Sequence, residues 1–205
     1  MASSNSVDET SPSYYNPSQT ALLLLDFHVL FVQKAGGPKA SAALQNAIKL
    51  KSWAQYQGIR VIHCLIDRHK TTFPTAKGAN RLSGFLSAMQ ASGGEEAPEL
   101  IDQSSDDKTF TRTPGHVSAL KSPGLEAYLQ KNGIKSLIIT GLSTSGCVLK
   151  TALAAADAEF VVSVISDGCA DGDEELHDVL VRKVLNHRGY VYTTAEFLQE
   201  YASRK

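Results

Sequence analysis

The stretch GIKSLIITGLSTSGCVLKTALAAADAEFVVSVISDGCAD, residues 133–171, decides the fold. Ser136 to Thr140 (SLIIT) is an unbroken apolar run of the kind that forms a strand buried on both faces. A turn of small residues, Gly141 to Gly146, leads from it into Cys147 to Ala158 (CVLKTALAAADA), a helix that is apolar nearly all round. Phe160 to Ile165 (FVVSVI) is a second buried strand. Strand, turn, helix and strand in this order make a βαβ unit, which implies a parallel sheet covered on both faces.

The same alternation runs outward in both directions. Upstream, ALLLLD ends a buried strand on a carboxylate, Asp26. Ala43, Ala47, Leu50 and Ala54 then repeat at helical spacing up to Gly58, placed where a left-handed cap would sit. Ile59 to Ile66 (IRVIHCLI) is another strand, and Pro123 to Asn132 is a helix with Pro at its start and Gly133 beyond its end. Downstream come a helix over Glu174 to His187, a strand over Gly189 to Thr193 and a closing helix over Ala195 to Tyr201. The expected architecture is a three-layer α/β/α domain, Rossmann-like, with a mostly parallel sheet of five to six strands. Residues 70–107 carry Gly, Ser, Pro and acids with weak periodicity near Leu82, Phe85 and Leu86, and read as a long excursion holding one short helix. Residues 1–18, rich in Ser, Pro and Asn, read as a flexible tail, leaving residues 19–205 as one domain.

Composition narrows the function classes. Twenty Lys and Arg against 21 Asp and Glu leave a net charge of −1, without the basic excess of a nucleic-acid binder. No run approaches about 18 consecutive apolar residues, which excludes a membrane-spanning helix. The N-terminal segment contains acids and no apolar core, so a secretory signal is not expected. Three cysteines, Cys64, Cys147 and Cys169, are too few for a disulfide scaffold. A reducing, cytoplasmic setting follows as the expectation.

Ligands of open α/β sheets bind beyond the carboxyl ends of the strands. Asp26, the Asp67/His69 pair and the turn into Cys147 all fall at such ends. A thiol in the first turn of a helix faces free backbone N–H groups and the positive end of the dipole, which favour the thiolate. The same N–H groups can receive an oxyanion formed when sulfur attacks a carbonyl carbon. A carboxylate such as Asp26 can take the thiol proton and later pass it to a leaving group. The plainer alternatives are a buried, inert cysteine and a solvated strand-end acid.

With these residues in view, the chain resembles the isochorismatase-like superfamily of cysteine hydrolases, which includes nicotinamidases and N-carbamoyl amidohydrolases. The matching pieces are ALLLLDFH, IRVIHCLIDRH and the 133–171 block, within residues ~20 to ~195. The resemblance implies a parallel sheet flanked by helices and a catalytic Asp, Lys and Cys. It makes Asp26 the acid/base and Cys147 the nucleophile, and implies a cis peptide at Leu142–Ser143. The N–H groups of Ser143 and Cys147 then form the oxyanion hole.

Departures from the family pattern carry information too. In DDKTFTRTPGHVSAL the family lysine aligns with Arg112, with Lys108 four residues earlier as the alternative cation if the register shifts. Arg112 can hold an anion but cannot give up a proton near neutral pH. His28 stands where many relatives carry Gln, and reads as pocket lining, a substrate contact or a second base. Phe31, His69 and Leu142 are further substrate-binding candidates. Asp67-Arg68-His69 resembles half of the nicotinamidase zinc site, but residues 70–111 supply no further histidine, so neither metal nor cofactor is expected.

The function so implied is cysteine-dependent hydrolysis of a small-molecule C–N bond of amide or imide type. The alternatives are isochorismatase-type vinyl-ether hydrolysis, driven by the Asp, and a fold relative without turnover acting as a binding subunit. The expected partners are a small-molecule substrate and, by resemblance, further copies of the chain in a dimer or tetramer; neither nucleic acid nor membrane is expected.

Overall fold

The computed structural model describes residues 8–202. One sheet holds six strands, β1 (Thr20–Leu25), β2 (Arg60–Ile66), β3 (Lys108–Arg112), β4 (Ser136–Leu142), β5 (Val161–Ala170) and β6 (Tyr190–Tyr192). Their order is β3-β2-β1-β4-β5-β6, and every adjacent pair is parallel. The helices are α1 (Ala40–Gln57), α2 (Ala79–Ala91), α3 (Leu125–Lys131), α4 (Leu149–Asp157), α5 (Glu174–Val179) and α6 (Thr194–Ala202). The architecture is the expected α/β/α sandwich, with six strands and a fully parallel sheet.

The central strand shows why an apolar run was required. Side chains alternate across a strand, so Ala21, Leu23 and Leu25 enter one core while Leu22 and Leu24 enter the other. The first core receives Leu125 and Leu129 of α3 and Ala152 and Ala155 of α4. The second receives the alanine-rich face of α1 and, from α6, Phe197 and Tyr201. Small residues let α1 lie close to the sheet, and it ends on Gly58 at φ 74°, the left-handed cap expected from its sequence.

Strand order reverses direction between β1 and β4, the switch point at which such sheets bind ligands. Here the two strands approach very closely. A Cβ on Gly141 would lie 2.5 Å from both the Cβ and the carbonyl oxygen of Leu25. Glycine at 141 therefore sets the spacing of the two chain ends that carry Asp26 and Cys147.

Three expectations need correction. Residues 8–19 are structured: two 3₁₀ turns, Pro12–Tyr14 and Pro17–Gln19, bury Pro12 and lead directly into β1. Proline pre-sets the first position of each turn, and Ser11 caps one of them. Residues 1–7 of the expected tail lie outside the described residues.

Next, β5 runs on past Ile165, the last residue of the expected strand, through Asp167-Gly168-Cys169-Ala170. A register shift opposite Ile139 and Gly141 absorbs the polar residues. Asp167 then caps α6, accepting from Thr194 N at 2.7 Å and Thr194 Oγ1 at 2.8 Å.

The 70–107 excursion, finally, holds a 13-residue helix, longer than the short one expected. Its return leg is pinned to β2 and to α1 by polar side chains. His63 Nδ1 donates to Glu96 at 2.6 Å, and Lys51 pairs with Asp107 at 2.9 Å.

Candidate active site

Asp26 is the residue after β1, and its backbone turns there into the left-handed region at φ 53°. Aspartate tolerates that conformation better than most side chains. Its N–H donates to Cys64 O at 2.9 Å, tying the turn to β2. The carboxylate is 2% exposed and meets Arg112, the last residue of β3, itself 1% exposed. Arg112 Nη1 donates to Oδ1 at 2.9 Å, Nη2 donates to Oδ2, and Nε donates to His116 O at 3.0 Å. Burial alone would lower the proton affinity of the guanidinium, but the Asp26 charge and hydrogen bonds outweigh it and hold it up.

Cys147 follows the cis peptide Leu142–Ser143, which occurs where the resemblance implied it. A wide turn over Thr144–Val148 carries the cysteine to the head of α4. Its Sγ donates to Leu142 O at 3.1 Å and lies 3.8 Å from Ser143 O. These acceptors favour the protonated sulfur. Burial, and then the Asp26 charge, push the thiol well above its ordinary pKa. Burial thus works against the thiolate that the start of a helix was expected to favour.

Asp26, Arg112 and Cys147 share the floor of a cleft of about 610 Å³. Leu142 and Ser143 continue that floor, and Phe31 walls it, its ring centroid 5.3 Å from that of Phe85 on α2. Lys77, just before α2, and Arg81, in its first turn, line the cleft from one side, and His116 lines it from the segment after β3.

Three expected site residues lie elsewhere. His28 is buried behind Asp26: Nδ1–H donates to Gly94 O at 2.8 Å, and Nε2 accepts from Ile66 N–H at 3.2 Å. Both nitrogens are committed and burial pushes its pKa down, so it serves neither as a second base nor as a cleft residue. Its Nε2 stands 3.8 Å from Asp26 Oδ1 and packs that carboxylate in place. His69 is exposed and accepts from Arg68 Nε at 3.3 Å. Lys108 sits at the opposite end of β3 from Arg112, exposed and 3.5 Å from Asp106, so the alternative cation is remote from Asp26.

The half zinc motif fails on its partners. Asp67 pairs with Lys70 at 3.3 Å and also accepts from His69 N at 3.0 Å. Among the described residues no third ligand joins them, so these residues do not fit a firmly held metal.

The sequence reading missed two residues that hold the cysteine turn. Asp171, just beyond β5, accepts from Ser145 N at 2.7 Å. His177 on α5 is buried, and its Nδ1 lies 2.7 Å from Thr144 Oγ1. The signal for Asp171 was its place after a strand at the same sheet end as Asp26. For His177, its charged neighbours in sequence concealed the inward face.

A family model described as "Isochorismatase domain" matches residues 20–196. The chain is 26% identical to a protein from Arabidopsis thaliana named a probable inactive nicotinamidase, over 89% of this chain and 96% of that one. It is 23% identical to a maleamate amidohydrolase from Pseudomonas putida, over 88% and 85% respectively. Among solved structures, a cysteine hydrolase from Pseudomonas syringae pv. phaseolicola superposes with a TM-score of 0.77 at 20% identity, covering 93% of this chain and 96% of that one.

Proposed function

The chain belongs to the isochorismatase family, and within it we propose that it hydrolyses a small-molecule C–N bond of amide type. The observation that carries this reading is the shared cleft floor, where the Asp26 carboxylate acts on the Cys147 thiol closely enough to shift its proton affinity. Asp26 takes the thiol proton as sulfur attacks the amide carbon, forming a C–S bond. The N–H groups of Ser143 and Cys147 receive the negative charge that develops on oxygen. Asp26 then returns the proton to nitrogen, the C–N bond breaks, and ammonia or an amine leaves a thioester. Water attacks the thioester while Asp26 takes its proton. The C–S bond breaks and the proton returns to sulfur, leaving thiol and carboxylic acid.

In this scheme Arg112 orients Asp26 and balances its charge without moving a proton, because a guanidinium keeps its proton near neutral pH. The cysteine is resting thiol, so its activation is coupled to substrate arrival, when water is displaced and the oxyanion hole is engaged.

The test is ammonia release from a panel of small primary amides, comparing wild type with Cys147→Ala and Asp26→Asn. Both variants are expected to lose turnover. Turnover retained in Cys147→Ala and lost in Asp26→Asn would instead assign chemistry driven by Asp26 without a nucleophilic sulfur. Two observations favour the non-catalytic reading: the Arg112 fork occupies both Asp26 oxygens, and a relative named inactive is among the matches. Absence of turnover together with retained ligand binding would establish it.

A further inference from the structure

Resting on the amide-hydrolase reading, we propose that Asp171 and His177 are positioning residues of the oxyanion hole. They grip the cysteine turn from behind and so aim the Ser143 and Cys147 N–H groups into the cleft, although neither side chain lines it. The grip begins with β5. Its register shift lets the strand run on until Ala170 pairs with Leu142, the last residue of β4. There the β4 chain leaves the sheet to form the turn, and the next residue after β5, Asp171, reaches across to it. This residue is only 8% exposed, and its carboxylate accepts from Ser145 N at 2.7 Å and from Asp173 N at 3.4 Å. The Asp171 backbone is packed against the segment before α1, where a Cβ on Gly37 would lie 2.1 Å from its carbonyl oxygen.

The second tether sits one residue earlier in the turn. Thr144 is fully buried, and its hydroxyl meets His177 Nδ1 at 2.7 Å. Within the turn, Ser143 O accepts from Gly146 N at 3.2 Å and from Val148 N at 3.3 Å. Those internal bonds fix the curvature of the turn, whereas its direction is set from outside by Asp171 and His177. With the Ser145 N–H drawn back to Asp171, that peptide faces away from the reacting atoms. Donors act on a developing oxyanion only at about 2.7–3.1 Å, and a misplacement of ~1 Å can cost about a hundredfold in rate.

The test separates carbonyl chemistry from plain sulfur reactivity. Iodoacetamide alkylates Cys147 by losing iodide from a saturated carbon and forms no oxyanion, whereas amide hydrolysis does. Asp171→Ala is expected to lower kcat for ammonia release by roughly 10- to 100-fold, with KM and the alkylation rate within about twofold of wild type. Asp171→Asn, which keeps an oxygen for the Ser145 N–H, should regain most of kcat. Thr144→Val keeps the shape without the hydroxyl and decides the matter where Asp171→Ala does not fold. It is expected to lower kcat by roughly three- to tenfold with alkylation unchanged. Unchanged kcat, no rescue by Asn, or a loss shared equally by turnover and alkylation overturns the proposal.

If wild type turns over no amide, the amide reading fails, and propionaldehyde decides the positioning separately. The thiol adds across the C=O bond: a C–S bond forms, the C–O π bond breaks, and the thiol proton ends on the oxygen held in the hole. The resulting hemithioacetal shields Cys147 from iodoacetamide. A half-protecting aldehyde concentration raised roughly tenfold in Asp171→Ala, and roughly threefold in Thr144→Val, supports the proposal. Equal protection in variants and wild type, or none in wild type, overturns it.

Discussion

Asp26 and Arg112 are joined by two parallel hydrogen bonds although β2 lies between the strands that carry them. Both groups are almost fully buried, so each charge depends on the other. Arg112→Ala is expected to cost about 3–5 kcal/mol, because it strands a buried carboxylate, and to abolish turnover. Lys108→Ala, at the far end of the same strand, is expected to stay within about 0.5 kcal/mol of wild type with activity intact. Urea denaturation of both variants checks the contrast. Equal stability for the two would remove the fork from the account.

The Cys147 thiol is held above its ordinary pKa by burial and by Asp26. Alkylation by iodoacetamide should accordingly be slow at pH 6 and rise steadily toward alkaline pH, with no plateau near neutrality. Peptide mass mapping after timed labelling reads the rate at each cysteine. Rapid, selective modification of Cys147 at pH 6 would show a preformed thiolate and refute the resting state described here.

Two buried histidines make stability depend on pH. Burial lowers the pKa of both His28 and His177 in the folded protein. The unfolded chain therefore binds more protons between the folded values and about 6.5. Their contribution is complete above that unfolded value and is lost as pH falls through the folded ones. Denaturation midpoints should drop between pH 7.5 and 5, with a shallower drop in His177→Asn. Midpoints independent of pH in wild type would contradict this assignment.

Gly141→Ala is expected to destabilise by roughly 1–3 kcal/mol or more, since its methyl group meets the Leu25 backbone. The same wedge parts β1 from β4 and moves Asp26 away from Cys147. A variant that refolds with a lowered denaturation midpoint should therefore also lose kcat. Unchanged midpoint and unchanged kcat would show that the strands can shift freely here.

Much of the fold was legible because its signals are local. ALLLL, SLIIT and FVVSVI name buried strands by composition, and Gly58 and Gly133 mark helix ends that the structure retains. The turn into Cys147 was legible for the same reason. What stayed hidden depends on distant pairing. Nothing near His28 in sequence announces that Gly94 and Ile66 occupy its ring. Nothing in Cys147's neighbourhood reveals how fully packing removes it from water. β3 had no apolar run to declare it, its residues being largely exposed, and only resemblance pointed to Arg112. Lys77 and Arg81 were passed over because the 70–107 excursion lacks a clear period.

The division of labour within the sheet leaves this protein open to retuning. Asp26 and Cys147 are set by β1 and β4, while α2 belongs to the connection between β2 and β3. A connection anchored at both ends can be exchanged as a cassette, altering which molecules gain entry while Asp26 and Cys147 keep their places. Grafting foreign α2 segments onto this sheet is thus a direct route to new preferences on an unchanged chemical engine.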